Sequence, residues 1–267
     1  MPRLKRYLAV LVAWFLRQIL RRRYTVELRG FDALLTAQGM LVLANHPAEI
    51  DPLVLTSATW SQLRLRALVL QEFYDIRITR GVLWVGNALP IPDLEVTRTV
   101  ASVRLLKQRL GEAVAALHAG DNVLLYPSGR LYRGPRESVG NASGTQLILK
   151  RFPDVPVLLV RIRGFWGSSF SCAAGSKPKL IHTLLAGAWT LLRNGIFWCP
   201  KRTILIACEV APADFPRHAP RQELNHWLNQ WFNQPGDEPL MRVPTTRARH
   251  RAAAPEQVTS QSTSPCS

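Results

Sequence analysis

Two short stretches of this sequence hold residue types that can do acid–base and phosphate chemistry. The first is Asn45-His46-Pro47-Ala48-Glu49-Ile50-Asp51. A histidine closes an apolar run, and a carboxylate follows five positions later. A loop that folds back brings an Asp51 oxygen to one imidazole nitrogen of His46. That contact fixes the tautomer and supports the positive charge that develops on protonation, leaving the other nitrogen as a base for a hydroxyl proton. General-base help of this kind is worth roughly 10²–10⁴ in rate. On spacing alone, a turn histidine beside a helix-capping aspartate fits as well.

The second stretch is Leu124-Leu125-Tyr126-Pro127-Ser128-Gly129-Arg130, followed by Arg133 and Arg136. A Pro-Ser-Gly turn after a strand exposes backbone N–H groups. The arginines beside it carry forked donors suited to two phosphate oxygens at once. A solvated basic loop is the plainer alternative. Ser128 is not read as a hydrolase nucleophile, because the G-x-S-x-G elbow that exposes such a serine is missing. The other histidines (His118, His182, His218, His226, His250) have no sequence neighbour that singles them out.

Positioning these motifs requires strands that end where they begin. Met40–Ala44 reads as a buried strand opening into the first motif, and Asn122–Tyr126 as one opening into the second. Asp51-Pro52 starts a helix running to Trp60, with Asp as cap and Pro in the first turn. Tyr24–Arg29, Leu65–Leu70, Val155–Arg161 and Ile204–Glu209 read as further strands. Residues 76–85, Thr97–Ala119 (closed by Gly120), Thr145–Arg151 and Arg221–Phe232 read as helices. This alternation predicts an α/β fold over residues 24–234, a single domain with a mostly parallel sheet flanked by helices. The 267 residues suit one such domain with extras at its ends. From about Pro235 hydrophobic residues thin out and Pro, Thr, Ser, Gln and Arg take over, so residues 235–267 are predicted to be a disordered tail. Residues 164–200 fit the alternation poorly. They hold six aromatic residues, among them Trp166, Trp189 and Trp198, and an amphipathic helix over Leu180–Leu192. Core packing and membrane or acyl-chain contact both stand for this region.

Charge narrows the partners. There are 34 Lys+Arg against 18 Asp+Glu, formally +16. Such a balance bears on partners rather than fold. Residues 1–30 carry eight Lys/Arg and one acid, Glu27, around an apolar run from Leu8 to Leu16 that includes Trp14 and Phe15. Basic flanks around an apolar, aromatic centre read as an interfacial helix over residues 1–23, lying on an anionic membrane surface. The run is shorter than the roughly 20 apolar residues a bilayer span needs. Arg17-Gln18-Ile19-Leu20-Arg21-Arg22-Arg23 stands where a signal peptide would place small residues for cleavage. An amphipathic helix packed on the domain and a cleaved signal remain the other readings. No zinc knuckle or RNP-type aromatic strand occurs, so nucleic acid is not an expected partner. Cys172, Cys199, Cys208 and Cys266 form no C-x-x-C pair and have no histidine at zinc-ligand spacing. They are read as structural or incidental, and the chain as facing the cytoplasm, at the inner membrane, peripheral or monotopic.

Taken together, the two constellations resemble the glycerolipid acyltransferases, typified by lysophosphatidic acid acyltransferase. The family's Asn-His-x4-Asp pattern after a strand is matched by Asn45, His46 and Asp51. Its Phe-Pro-Glu-Gly-(Thr)-Arg pattern is varied as Tyr126-Pro127-Ser128-Gly129-Arg130. Gly86–Asp93 lies where the family has Gly-x-x-x-Ile-x-Arg, and Val155-Pro156-Val157 matches a later Val-Pro-Val strand. The resemblance covers about residues 39–163. The stretch from Tyr126 through Gly164-Phe165-Trp166-Gly167 is also similar to acyltransferase modules fused to acyl-activating ligases in some bacteria. No ligase segment lies within these residues, so a ready-made acyl thioester is expected from elsewhere.

The resemblance implies an O-acyltransferase of phospholipid biosynthesis or remodelling. The donor would be acyl-carrier protein or acyl-coenzyme A as co-substrate, with no cofactor and no metal. The acceptor would be the hydroxyl of a lysophospholipid such as 1-acylglycerol-3-phosphate. Transfer would be direct, with His46 as base and Asp51 as its orienting partner. Asn45, Ser128, Gly129, Arg130 and Arg133 would bind substrate, with backbone N–H groups of the Ser128-Gly129 turn facing the oxyanion. Ser128 replaces the usual Glu, and Asp93 stands where Arg is common. Those two departures bear on which acceptor is held more than on the reaction; they are also the features on which the alternative, a non-catalytic lipid-binding protein on the same fold, rests.

Overall fold

A computed structural model of the chain describes residues 3–34, 38–94, 96, 97 and 99–245. Seven strands are present among them: β1 Tyr24–Arg29, β2 Leu41–Ala44, β3 Leu65–Leu70, β4 Leu89–Ile91, β5 Asn122–Leu125, β6 Val157–Arg163 and β7 Arg202–Val210. The helices are α1 Arg3–Leu20, α2 Asp51–Ala58, α3 Trp60–Leu63, α4 Gln71–Asp75, α5 Arg77–Val85, α6 Val100–His118, α7 Gly144–Arg151, α8 Leu180–Arg193 and α9 Arg221–Asn233.

The strands form one sheet in the order β1-β7-β6-β2-β5-β3-β4. Every neighbouring pair is parallel except β6 with β7. The central strands β2 and β5 are buried along their whole length. That is what a parallel strand covered on both faces demands, and it explains their unbroken apolar sequences. Period-two alternation then divides their side chains between two cores. Val42, Ala44, Leu124, Tyr126, Leu158 and Val160 face one cluster, with Val54 and Leu55 of α2. Leu41, Leu43, Val123, Leu125, Val157 and Leu159 face the other, closed by Leu110 and Leu117 of α6, Ile148 of α7, and Leu228 and Phe232 of α9.

The architecture agrees with the expected α/β sheet, and three local departures have clear causes. The sixth strand starts at Val157 rather than Val155, because Pro156 has no N–H to give the ladder. The short β4 contains Pro90, and its sole partner is β3. A sheet edge is where a proline-bearing strand is tolerated. Helix α6 begins at Val100, three residues later than expected, because Thr99 and Ser102 cap each other reciprocally.

A fourth departure is larger. Residues 235–245, placed by composition in a disordered tail, are packed against the sheet. Glu238 is buried and accepts from the backbone N–H groups of Gly164 (2.6 Å) and Trp166 (2.9 Å). The Met241 carbonyl accepts from Arg202 (2.7 Å), and Met241 N donates to Trp166 O (3.0 Å). Specific polar contacts, which composition cannot reveal, hold this strap in place. They need Gly164: its φ is +101°, and a Cβ there would overlap the carbonyl oxygen of Thr203. Residues 246–267 of the expected tail lie outside the described residues.

Candidate active site

Both motifs follow the carboxyl ends of adjacent parallel strands, β2 and β5. Ligands of open α/β sheets bind outside that edge. Asn45, the first residue past β2, is fully buried and ties its loop to β6: Nδ2 donates to Ile162 O (2.8 Å) and Oδ1 accepts from Ile162 N (2.7 Å). Its Nδ2 also meets the Tyr132 hydroxyl. Asn45 is therefore a brace for the next residue, a different role from the substrate contact expected of it.

His46 Nδ1 lies 3.0 Å from Asp51 Oδ2. The same oxygen accepts from Ala48 N (3.1 Å), and Oδ1 accepts from the Tyr126 hydroxyl (2.6 Å). Asp51 was expected to cap its helix. It is instead the first helical residue, after Ile50, and its carboxylate turns back into the loop. The N-terminal end of α2 favours a negative charge there. Asp51 is fully buried, whereas His46 keeps 18% of its side-chain surface exposed. With Nδ1–H donated to the carboxylate, Nε2 is the nitrogen that can take a proton.

Three residues outside the expected set complete this arrangement. The Tyr126 ring stacks on the imidazole, centroids 4.1 Å apart at 20°. Burial, then the Asp51 charge, push its phenol well above the ordinary value, so it stays a donor. Glu137 is buried beneath the loop and accepts from His46 N and Ser138 N (both 2.9 Å). Burial raises its carboxyl, and those two N–H groups pull it back. Glu49, inside the first motif, is pushed up to about 7, first by burial, with the Lys177 and His46 charges acting the other way. One of its oxygens is buried with no hydrogen-bond partner among the described residues. Glu137 had one sequence signal, a lone acid among Arg130, Arg133 and Arg136. Tyr126 had another, since alternation puts it on the face of β5 that receives α2.

The second motif is a turn as expected, with Gly129 at φ +66°. The Gly129 N–H closes the turn onto Tyr126 O (3.0 Å) and so is not available to an oxyanion. Ser128 Oγ donates to Arg130 O (2.9 Å) and also lies by Glu137, whose charged form it favours. The two arginines diverge. The Arg130 guanidinium runs to Gly140, where Nη2 would lie 3.6 Å from an added Cβ. Arg133 is exposed, and its charge, with those of Glu49 and Lys177, acts on the Cys172 thiol. Arg133 is thus within electrostatic reach of Cys172, whereas Arg130 points to Gly140. Lys177 pairs with Glu72 (3.2 Å); burial lowers its amine, and Glu72, Glu49 and Asp93 together carry it above the ordinary value.

The family model described as Acyltransferase matches residues 25–162, a little over half of the chain. Among solved structures, the chain is similar to the crystal structure of the 1-acyl-sn-glycerophosphate (LPA) acyltransferase PlsC from Thermotoga maritima. The TM-score is 0.54 at 15% identity, covering 86% of this chain and 79% of that one. A likeness at that identity speaks for the fold. No curated protein matches.

Proposed function

The chain belongs to the Acyltransferase family, and from that premise we propose that it moves a fatty acyl group from acyl-carrier protein or acyl-coenzyme A to the hydroxyl of a lysophospholipid at an anionic membrane surface. The observation that carries this reading is the His46–Asp51 contact of 3.0 Å, held from the far side by the Tyr126 hydroxyl. His46 Nε2 takes the proton of the acceptor hydroxyl as its oxygen attacks the thioester carbonyl carbon. The tetrahedral intermediate collapses with cleavage of the C–S bond. The imidazolium then returns the proton to the departing sulfur, giving an ester and a thiol. Asp51 holds the tautomer and stabilises the transient imidazolium. Both are fixed before substrate arrives, so little reorganisation accompanies the charge shift.

Acceptor recognition falls to the exposed side of the site. Arg133, with Arg130 further along the same loop, supplies cationic donors for a phosphate. The carboxylates Glu49, Glu72 and Asp93, whose charges act on Lys177, add acceptors for hydroxyl or amine groups of the headgroup. A second reading, lipid binding without turnover, rests on Ser128 and Asp93 standing where the resembled family has Glu and Arg.

The test is acyl transfer by purified protein, wild type beside His46→Ala, with labelled acyl-coenzyme A and acyl-carrier protein against a panel of lysophospholipids. Turnover by wild type that the variant loses supports catalysis at His46. Retained activity in the variant sinks that mechanism, and lipid binding without turnover across the panel establishes the second reading.

A further inference from the structure

Surface helices ordinarily turn polar residues to water. Two helices of this chain do the reverse. Helix α1 packs on α2 and α5 through its small and medium residues, Ala9, Val12, Ala13 and Leu16, which line an apolar cavity of about 70 Å³ with Pro52 and Val82. Its opposite face presents Leu4, Tyr7, Leu11, Trp14 and Phe15, with Trp14 60% exposed. Helix α8 repeats the pattern. Leu180 and Leu184 pack on the same core cluster as Leu20 of α1, while Leu185, Trp189 and Leu192 stand exposed, Trp189 at 65%. Phe197 and Trp198 extend this surface, each about as exposed, with backbone hydrogen bonds from Ile196 N to Leu191 O (2.7 Å) and Trp198 N to Asn194 O (3.3 Å) fixing their loop.

The two elements meet at the end of α1. The Arg22 guanidinium sits 4.3 Å over the Phe197 ring, and Arg23 hydrogen-bonds Pro200 O. Exposed large apolar side chains grouped in this way mark a contact with something apolar. Charge selects what that is. Neither helix contains an acid, and Arg17, Arg21 and Arg193 are exposed at their ends. Two copies of the surface would repel each other, whereas an anionic bilayer complements both the apolar centre and the cationic flanks. Among the described residues no helix is long and apolar enough to cross a membrane, which leaves lying in the interface. We propose that α8 and the Phe197-Trp198 loop are a second lipid-inserting element, continuous with α1, and that the protein docks on anionic lipid through both. The segment leading into α8 borders the site: Phe170 O accepts from Glu49 N (3.0 Å), and Lys177 and Cys172 feel the Glu49 charge. Docking through α8 therefore sets the mouth of the site beside the lipid surface. This deepens the reading of an acyltransferase acting at a membrane.

The experiment is vesicle co-sedimentation of the full chain, with phosphatidylcholine alone and with about one third phosphatidylglycerol. The variants are Leu185→Ser/Trp189→Ser/Leu192→Ser on α8, Leu11→Ser/Trp14→Ser/Phe15→Ser on α1, and Arg193→Glu. On anionic vesicles each triple variant is expected to bind at least about tenfold more weakly than wild type. Arg193→Glu, which removes no packed surface, is expected to lose about fivefold on anionic vesicles and nothing on phosphatidylcholine. An α8 triple variant and an Arg193→Glu variant that both bind like wild type overturn the proposal. So does an α8 surface whose substitution only converts a dimer to a monomer in sedimentation velocity. Binding is read without turnover, so a failure of acyl transfer leaves this result standing. Transfer to a water-soluble, short-chain acceptor at the wild-type rate shows in turn that the α8 variant is folded.

Discussion

Asp51 is fully buried and accepts from His46, Ala48 and Tyr126, while Arg133, on the loop that follows the Tyr126–Gly129 turn, stands in solvent. The His46–Asp51 pair, to which the proposed mechanism gives the proton, is bound to two strand ends and the first turn of α2. The part of the site proposed to meet the acceptor is a basic loop and a group of partly exposed carboxylates. The first arrangement is over-determined: Asn45, Tyr126 and Glu137 each hold the His46 loop from a different side. Chemistry that must not vary is built from buried hydrogen bonds. Recognition that can diverge is left to long side chains in water.

Five substitutions probe this contrast, in descending order of effect. Asp51→Asn is expected to lower kcat by roughly 10²–10⁴ with the fold intact, because the amide no longer enforces the Nδ1–H tautomer. Single-turnover rates measure this, and a loss of less than about tenfold would show that the carboxylate has no such role. Tyr126→Phe removes one donor to a buried charge, typically worth about 2 kcal/mol. A fall of about thirtyfold in kcat with KM nearly unchanged is the expected outcome. Arg133→Ala should raise KM for a phosphate-bearing acceptor by about tenfold and leave kcat alone, with a smaller effect from Arg130→Ala. The reverse order would return the phosphate to Arg130 and undo the assignment of sides.

Glu49→Gln has the smallest effect on rate and the clearest one on pH. The Glu49 carboxyl is raised to about 7 in the folded protein, against an ordinary value near 4.3 unfolded. Between those values the folded state holds the proton more tightly than the unfolded state, so stability falls as pH rises. Denaturant unfolding from pH 4 to 8 should show that decline in wild type and a flatter profile in Glu49→Gln. Parallel profiles would remove burial as the cause of the shift.

Strand ends and the α/β layering were legible because they follow from local patterns, apolar runs and a Gly-terminated helix, whereas spacing alone left the His46–Asp51 pairing level with a helix cap and the family resemblance singled it out. What could not be read depends on contacts distant in sequence. Glu137 lies 91 positions from the N–H it receives, and Glu238 lies 74 from Gly164. No window of residues carries such a pairing. The turn at Gly129 was foreseen, but the direction of its N–H was not, because turn type fixes geometry and leaves the partner open. Residues 164–200 resisted assignment for a related reason: α8 obeys helical periodicity, yet its outward face is as apolar as its inward one, so pattern alone does not say which side is buried.

Strand β1 has one neighbour in the sheet, β7, and pairs Tyr24 with Arg202 and Arg29 with Ala207. Among the described strands, the first in chain order thus waits for the last. At about 5–20 residues per second, the roughly 170 residues between them take on the order of 10–35 seconds to leave the ribosome. Helices α2 and α5, against which α1 packs, are made early in that interval, so α1 can settle on them while β1 still lacks the strand it pairs with.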